Sequence, residues 1–230
     1  MIIDPVQLLF IIPGFALSMW ASMRVKSTFQ RFSQVRARSG MSGAEAAREL
    51  LRQKGIHDVR VESVSGFLSD HYDPGARVLR LSSDVYNGRS LAALGVAAHE
   101  AGHAIQHATN YGPLGFRSAI VKPAGIGSSL GMYISIFGIL FQWQPMIWIG
   151  IVLFSAFVLF TLVTLPVEFD ASSRAVAVLQ QSGMIAPDEA PGAKAVLNAA
   201  ALTYVAAAAA AILQLLYLLM RAGVLGGNDD

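Results

Sequence analysis

The stretch His99-Glu100-Ala101-Gly102-His103 decides how the rest of this chain is interpreted. It has the pattern H-E-x-x-H. On a helix, residues four apart lie on the same face, so His99 and His103 can bind one zinc ion together. Glu100 then lies beside the remaining coordination position, where a water molecule would be activated. The stretch therefore predicts a metal-dependent peptidase site with one Zn²⁺ per chain.

Long apolar stretches account for much of the remaining sequence. Of the 230 residues, 54% are hydrophobic and only 14% are charged, whereas charged residues make up about 25% of ordinary soluble domains. Four stretches approach the roughly 20 residues that a helix needs to cross a bilayer. They are residues 6–21, 120–141, 147–166 and 200–220. The first is short and interrupted by Pro13 and Gly14, and we interpret it as a retained anchor rather than a signal peptide.

Basic residues predict the orientation of the chain. Of the 17 Lys and Arg residues, 13 lie within residues 22–119, and the link at 142–146 has none. Two polar segments lie between the spans, at residues 22–119 and 167–199. The positive-inside rule puts both of them in the cytoplasm and both termini outside. We therefore predict a multi-pass cell-membrane protein whose site faces the cytoplasm. The same bias explains the basic run at 24–38, which would anchor the first span against anionic lipid, so no nucleic-acid partner is needed.

The first polar segment shows its own pattern of local structure. Ser42-x-x-Glu45 is typical of a capping box, and the helix that it opens should end at Gly55. Residues 59–64 and 78–82 have the composition of strands, and residues 70–75 that of a turn. Ser90 precedes a predicted helix at 91–107 that carries the H-E-x-x-H motif. Strand 77–82 is a candidate edge to which a peptide substrate adds as another strand; the alternative is a strand that only packs the core.

These patterns predict a mainly α membrane protein with about four transmembrane helices and a cytoplasmic, zincin-like α+β catalytic segment that holds the motif helix and a small sheet. The predicted segments are an N-terminal transmembrane anchor (1–22), the catalytic segment (23–119), two transmembrane helices (120–166), a cytoplasmic helix that supplies the third zinc ligand (167–199), and a transmembrane helix with a short tail (200–230).

A catalytic zinc site needs a third protein ligand, since such sites usually hold three plus water. The extended pattern H-E-x-x-H-x-x-G-x-x-H is absent, because Gln106 and Thr109 stand in place of its glycine and third histidine. Glu168 is the best candidate. It follows Pro166, would open a helix at 167–181, and lies on the same predicted side of the membrane as His99 and His103. Asp170 is the second choice, either as a ligand or as a partner of a histidine N–H.

Several segments together resemble the YugP-type bacterial neutral zinc metallopeptidases. They are Asp70-His-Tyr-Asp-Pro74, the run from Leu91 to Gln106, Val167-Glu-Phe-Asp-Ala-Ser-Ser-Arg-Ala175, and Ala200-Ala-Leu-Thr-Tyr-Val-Ala206. The resemblance covers about residues 60–220 and implies a zinc-dependent membrane peptidase. The pattern is more distantly similar to the HtpX and CAAX prenyl protease enzymes, which combine H-E-x-x-H with E-x-x-x-D. Glu168 matches that glutamate, but Ser172 stands in place of the aspartate.

Weaker candidates complete the predicted site. His71, Tyr72, Arg174 and Tyr204 could each stabilise the oxyanion formed on the substrate carbonyl, and we favour Tyr204 and His71 beside Glu100. In the predicted mechanism zinc lowers the pKa of its water, and Glu100 takes the proton and passes it to the leaving amine. The absence of cysteine excludes thiolate chemistry.

Two other functions remain open at this point. One is a site-2-type intramembrane protease, although polar residues closely flank the motif helix. The other is a non-catalytic membrane scaffold held by structural zinc, for which Glu100 would have no use. The predicted partners are the lipid bilayer and a peptide or protein substrate, membrane proteins included; the sequence assigns no oligomeric state.

Overall fold

The structure is a computed structural model that describes residues 5–224. Its helices are α1 Pro5–Ser33, α2 Gly43–Gln53, α3 Ser83–Tyr86, α4 Leu91–Ala108, α5 Gly112–Leu140, α6 Gln144–Gln181 and α7 Ala190–Arg221. Its strands are β1 Arg60–Val64, β2 His71–Asp73 and β3 Val78–Ser82. The two ends of the chain, predicted to lie outside the cell, fall on residues 1–4 and 225–230, outside the described residues.

The chain divides into two units. The membrane unit consists of the residues up to Ser22, Gly115–Pro166 and the residues from Leu202 onward. The polar unit consists of Met23–Leu114 and Val167–Ala201. Four helices, α1, α5, α6 and α7, contribute residues to both units.

The four predicted spans are confirmed as helices. α1, α5, α6 and α7 are 29 to 38 residues long and apolar enough to cross a membrane. All four are longer than the apolar stretches that predicted them, because each continues into residues of the polar unit. In lipid a backbone must satisfy its own hydrogen bonds, which favours long uninterrupted helices.

Three prolines lie inside these helices. Pro13, Pro123 and Pro166 are interior residues of α1, α5 and α6. The prediction that Pro166 separates the third span from a new helix at 167–181 was therefore wrong: α6 is continuous. Membrane helices tolerate proline because hydroxyl side chains and neighbouring helices compensate the broken backbone bond. Thr161 and Thr164, in the turns before Pro166, donate hydrogen bonds to the carbonyls of Val158 and Phe160. Neither bond goes to the carbonyl of Leu162, which loses its helical N–H partner at Pro166.

Small residues let α5 and α6 approach closely within the membrane unit. A Cβ atom added at Gly131 would lie 2.7 Å from the backbone nitrogen of Phe154 and 2.8 Å from the backbone oxygen of Gly150. One at Gly138 would lie 2.7 Å from the nitrogen of Ile147. Backbone packing of this kind replaces the hydrophobic effect as the main source of helix association in lipid.

In the polar unit, α2 begins with the predicted capping box. The Ser42 hydroxyl accepts a hydrogen bond from the backbone N–H of Glu45, and the Glu45 carboxylate accepts one from the N–H of Ser42. The helix ends at Gln53, and Gly55 follows with φ +71°, which glycine adopts without strain. α2 packs its buried face, including Leu50 and Leu51, into the core of the polar unit.

The sheet has the order β1-β3-β2. β1 pairs with β3 in parallel, and β2 pairs with β3 in the antiparallel sense. The prediction that residues 77–82 form a sheet edge was therefore wrong, because β3 is the central strand. Part of the predicted turn at 70–75 is strand β2, and the turn itself is closed by Asp73, whose side chain accepts hydrogen bonds from the N–H groups of Gly75 and Ala76. The apolar side chains of β3, Val78, Leu79 and Leu81, are all buried, as expected for a central strand.

Candidate metal centre

Helix α4 carries the H-E-x-x-H motif and begins as predicted. The Ser90 hydroxyl accepts a hydrogen bond from the backbone N–H of Ala93, which satisfies one of the free donors of the first turn. The helix is buried over most of its length. His99 and His103 lie one turn apart on the same face, with ring centroids separated by 4.7 Å.

Glycine at position 102 allows α6 to approach this face. A Cβ atom at Gly102 would lie 2.9 Å from the backbone oxygen of Ala171 and 3.4 Å from its Cα atom. Such a contact requires one of the two helices to move. The same backbone approach brings Glu168, three residues before Ala171, to the two histidines. Glu168 is only 2% exposed.

The three side chains have the separations of zinc ligands. The Oε2 atom of Glu168 lies 3.2 Å from Nε2 of His99 and 3.5 Å from Nε2 of His103. One ligand atom from each residue lies within 4.8 Å of the others. With metal–ligand bonds of about 2.0–2.1 Å, tetrahedral geometry separates neighbouring ligand atoms by about 3.3–3.4 Å. This His-His-Glu group therefore fits a metal ion in both chemistry and spacing.

Gln106 fixes which nitrogen of His103 faces the metal position. The Gln106 side-chain NH₂ donates to the carbonyl oxygen of Val167 at 2.9 Å and to Oδ2 of Asp170 at 2.7 Å. Both partners are acceptors, so the orientation of the amide is determined by them. Its Oε1 atom then faces Nδ1 of His103 at 2.9 Å, and Nδ1 must carry the proton. The lone pair of Nε2 is left for the metal.

Asp170 acts on the histidine through Gln106. Its Oδ2 atom also accepts a hydrogen bond from Nε of Arg174 at 2.5 Å, one turn further along α6. The guanidinium of Arg174 lies 5.6 Å from the centre of the Tyr111 ring. The group that could hold a metal does not include Asp170. Asp170 was expected to be a ligand or a direct partner of a histidine N–H, but its hydrogen bonds come from Gln106 and Arg174 instead.

Ser172 replaces the aspartate of the related E-x-x-x-D pattern. Its hydroxyl lies 3.1 Å from Nδ1 of His99. A hydroxyl can accept the Nδ1 proton just as a carboxylate does, although without its charge. His99 is therefore also oriented by a hydrogen-bond partner at its Nδ1 atom. Serine at position 172 keeps this contact although the aspartate of the related pattern is absent.

Two further carboxylates, Glu100 and Asp70, lie close enough to each other to interact electrostatically. Glu100 is 8% exposed. Asp70, the last residue before β2, is half-buried and accepts hydrogen bonds from the backbone N–H and the hydroxyl of Ser82. Burial raises the pKa of Asp70, and the charge of Glu100 adds to the rise, although the bonds from Ser82 oppose it.

Nearby carboxylates affect the pKa of His103. Burial by itself would lower the pKa of His103, but the hydrogen bond with Glu168 and the charges of Glu100 and Glu168 outweigh it and raise the pKa. The same carboxylates that attract a proton also attract a divalent cation. A metal ion must therefore compete with a proton for this group, and its affinity should fall in acid.

His71 and Tyr204, the two favoured candidates for stabilising the oxyanion, lie in different parts of the structure. His71 is exposed on β2; its Nδ1 lies 2.8 Å from the carbonyl oxygen of Ser69 and its Nε2 3.4 Å from Arg80. Its neighbour Tyr72 bonds Nδ1 of His107 on α4 at 2.8 Å, and since side chains alternate along a strand, His71 projects from the opposite face. Tyr204 lies in α7, in the membrane unit. A catalytic role for either residue stays a prediction.

Gln106 was the main residue that sequence reasoning missed. It lies three residues after His103, and residues at this spacing are neighbours on a helix surface. A polar residue at that spacing inside an otherwise apolar helix end is the signal that could have found it. Gln106 is completely buried, which for an amide requires hydrogen-bond partners.

Comparison with known proteins agrees with this geometry. Residues 7–223 match the sequence model of a family described as "Putative neutral zinc metallopeptidase". The chain belongs to this family. It is 48% identical over 219 residues to "Putative membrane protease YugP" of Bacillus subtilis (strain 168), which covers 95% of this chain and 96% of the relative. No solved structure matches the chain significantly. The resemblance to the neutral zinc metallopeptidases found in the sequence is confirmed. The similarity to a membrane protease also agrees with the four apolar helices and with a His-His-Glu group that could hold a metal ion.

Proposed function

We propose that the protein is an integral membrane zinc endopeptidase of the gluzincin type, with one zinc ion bound by His99, His103 and Glu168. The observation that carries the proposal is the convergence of three ligand atoms from α4 and α6 on one point, at separations of 3.2 and 3.5 Å. The family match and the membrane protease relative support the same function. Two histidines and one glutamate leave a fourth position open for water, as catalytic sites require.

Glu100 is the proposed general base. When bound, zinc would polarise the substrate carbonyl and make a water molecule acidic enough to lose its proton near neutral pH. Glu100 is next to His99 on α4 and is buried, so its carboxylate is well placed to accept that proton. It would then deliver the proton to the leaving amine as the C–N bond breaks. No covalent enzyme intermediate is needed.

Gln106 and Ser172 are the proposed positioning residues for the two histidines. Each contacts the Nδ1 atom of one imidazole and holds its Nε2 toward the other ligands. Removing such a contact typically lowers metal affinity or activity by about 10–100-fold. Gln106 has the larger expected effect, because Asp170 and the carbonyl of Val167 fix its orientation.

The peptide substrate would bind along β2. β1 and β2 are the edge strands of the sheet, and β2 lies against α4 through the hydrogen bond between Tyr72 and His107. An extended peptide that pairs with β2 would add a fourth strand, with backbone bonds that do not depend on its sequence. This mode fits an enzyme that accepts unfolded or extended segments.

The two alternative functions, a site-2-type protease and a zinc-stabilised scaffold, predict different properties of helix α4. A site-2-type protease would carry its motif on a membrane-spanning helix, but α4 is 18 residues long and is not among the four apolar helices of the described chain. A zinc-stabilised scaffold would need the three ligands and not Glu100. The basic residues that predict the orientation favour a site on the cytoplasmic side.

The decisive experiment compares Glu100→Gln with the unchanged protein in detergent or reconstituted bilayers. The amide has nearly the same shape but cannot accept a proton, so zinc content should stay at one per chain while hydrolysis of an unfolded protein substrate falls at least ~100-fold. Glu62→Gln, a change of the same kind on β1, is the matched control and should leave activity intact. His99→Ala should abolish zinc binding.

Two results would contradict the proposal. Normal turnover by the Glu100→Gln protein would show that Glu100 is not the base and would favour the scaffold. Full zinc affinity and activity in a Glu168→Ala protein would remove the third ligand from the proposed site.

A further inference from the structure

An apolar loop of the polar unit is held open to solvent. Residues 65–69, here called the Phe67 loop, connect β1 to β2, and Phe67 and Leu68 are 52% and 41% exposed. Leu68 has φ +55° and Gly66 φ +115°, so the chain turns sharply here. The hydroxyl of Ser69 donates to the carbonyls of Ser65 and Gly66 and closes the turn. A left-handed leucine is costly, and such strain is found mostly where a segment has a function.

The Phe67 loop lies beside the first polar turns of α1. The ring of Phe67 packs edge-on against Phe29, with ring centroids 5.6 Å apart. Phe29 follows Met23, the first residue of the polar unit, by six residues, which corresponds to about 9 Å along a helix. The headgroup layer of a bilayer is about 5–8 Å thick on each side. If the headgroup layer begins at Met23, which directly precedes the first basic residue of α1, a loop packed at Phe29 would lie near the outer edge of that layer.

The same region carries positive charge. No acidic residue occurs between Asp4 and Glu45, and the basic residues of that stretch are exposed in the structure: Arg24, Lys26, Arg31, Arg36 and Arg38. Arg38 is neutralised by Asp188, which it contacts through both guanidinium nitrogens. The others leave an excess of positive charge on this side of the polar unit.

A groove joins the apolar loop to two of the arginines. It has a volume of about 600 Å³ and is lined by Phe29, Phe67, Arg36 and Arg89, with Asp84 as its acidic residue. Arg89 also reaches Glu45 at 3.5 Å, so Arg36 is the arginine more available to a ligand. Apolar rings beside a guanidinium match the two parts of a phospholipid, its acyl region and its phosphate.

We propose that this surface docks the polar unit onto the bilayer, with Phe67 and Leu68 inserted among the headgroups and Arg36 binding the phosphate of an anionic phospholipid. The occupant is lipid because the loop packs on the helix that leaves the membrane, and because the basic residues beside the loop are opposite in charge to an anionic leaflet. The docking does not involve the metal group, so it can be tested whether or not the protein is a peptidase.

The native chain has no cysteine, which permits a clean labelling experiment on the full-length protein. Leu68→Cys, labelled with an environment-sensitive fluorophore, is reconstituted into nanodiscs of phosphatidylcholine with or without phosphatidylglycerol, and quenching by lipids spin-labelled near the headgroup is measured. Ala76→Cys is the matched control. It is exposed in the turn at the Val78 end of β3, whereas the Phe67 loop lies at the Ser82 end.

A second pair of variants tests the charge. Arg36→Gln is compared with Lys54→Gln, which removes the same charge from an exposed residue at the far end of α2. The backbone N–H of Gly43, at the start of α2, binds the carbonyl of Gly88 in the groove wall. Lys54 is therefore separated from the groove by the length of an 11-residue helix, about 16 Å.

We expect quenching at Leu68 to be several-fold stronger than at Ala76, to increase with phosphatidylglycerol, and to weaken with Arg36→Gln but not with Lys54→Gln. Equal quenching at Leu68 and Ala76 would overturn the proposal. The proposal would also be overturned if quenching at Leu68 were unchanged by phosphatidylglycerol and by Arg36→Gln. Inorganic phosphate is added to the detergent-solubilised protein as a further arm; a fluorescence response there, without quenching in nanodiscs, would identify a free-anion site and also overturn the docking.

Discussion

Replacing Gly102 by alanine tests whether close backbone contact assembles the metal group. The added Cβ atom would lie 2.9 Å from the backbone oxygen of Ala171, whereas ordinary contacts begin at 3.4 Å. The two helices must therefore separate by about 0.5 Å, the difference between these distances. Glu168 is on the helix that moves, and His99 and His103 are on the other.

The expected effects follow from this displacement. Overpacking costs about 1–3 kcal/mol, and alanine regains about 1 kcal/mol over glycine in a helix, so the free energy of unfolding should fall by about 0–2 kcal/mol. The effect on zinc affinity should be larger than the effect on stability. Zinc–ligand distances tolerate changes of only about 0.2 Å, and disturbances of ligand support commonly reduce affinity by about 10–100-fold. We expect zinc affinity to fall at least tenfold.

Gly95→Ala is the matched control on the same helix. A Cβ atom there would lie 3.6 Å or more from its neighbours at Ala193, an ordinary contact. This variant should keep its zinc affinity and gain up to about 1 kcal/mol of stability. Both proteins are compared with the unchanged chain by competition with a coloured chelator and by thermal unfolding in detergent.

The reasoning fails if Gly102→Ala binds zinc as tightly as the unchanged protein. It also fails if the two alanine variants lose affinity equally, because helix composition rather than contact with Ala171 would then be responsible.

Three further predictions concern other residues. Asp70→Asn should stabilise the protein near pH 7 but not near pH 4: a carboxyl whose folded pKa is raised by burial stabilises the fold fully when protonated and loses that contribution as pH rises. Thermal unfolding of both proteins at both pH values checks this, and an equal difference at the two would refute it. Tyr204→Phe should lower kcat about 10²–10³-fold with little change in KM if its hydroxyl stabilises the oxyanion; His71→Ala is assayed beside it, and unchanged kcat in either removes that residue from the mechanism. A cysteine at Ser182 should be shielded from an impermeant thiol reagent in intact cells while one at Gln142 is labelled, and the reverse pattern would invert the predicted topology.

Helix-level features could be predicted because their signals are local. The capping box of Ser42 and Glu45, the cap at Ser90 and the four apolar helices depend on neighbours within a turn or on composition, and each is present in the structure. The three ligand candidates also come from short patterns, and the structure brings them together as one group that could hold a metal.

The features that were missed depend on long-range contacts. Whether β3 is central or at an edge depends on which strands pair with it, and the apolar composition of Val78, Leu79 and Leu81 should have favoured a central strand. Continuity of α6 through Pro166 depends on the lipid environment rather than on proline's usual effect in water. The link from His103 through Gln106 to Asp170 joins two helices that are 64 residues apart in sequence at that contact, and no local pattern reports it.

The ligands' order in the chain has a consequence for biogenesis. Glu168 is made 69 residues after His99, and α5 together with more than half of α6 is translated in between. A nascent chain that has released only α4 from the ribosome offers two ligands, which hold zinc weakly. The proposed peptidase therefore stays inactive until its second and third spans have been synthesised, and a truncated product that ends before α6 cannot act as a stray protease in the cell.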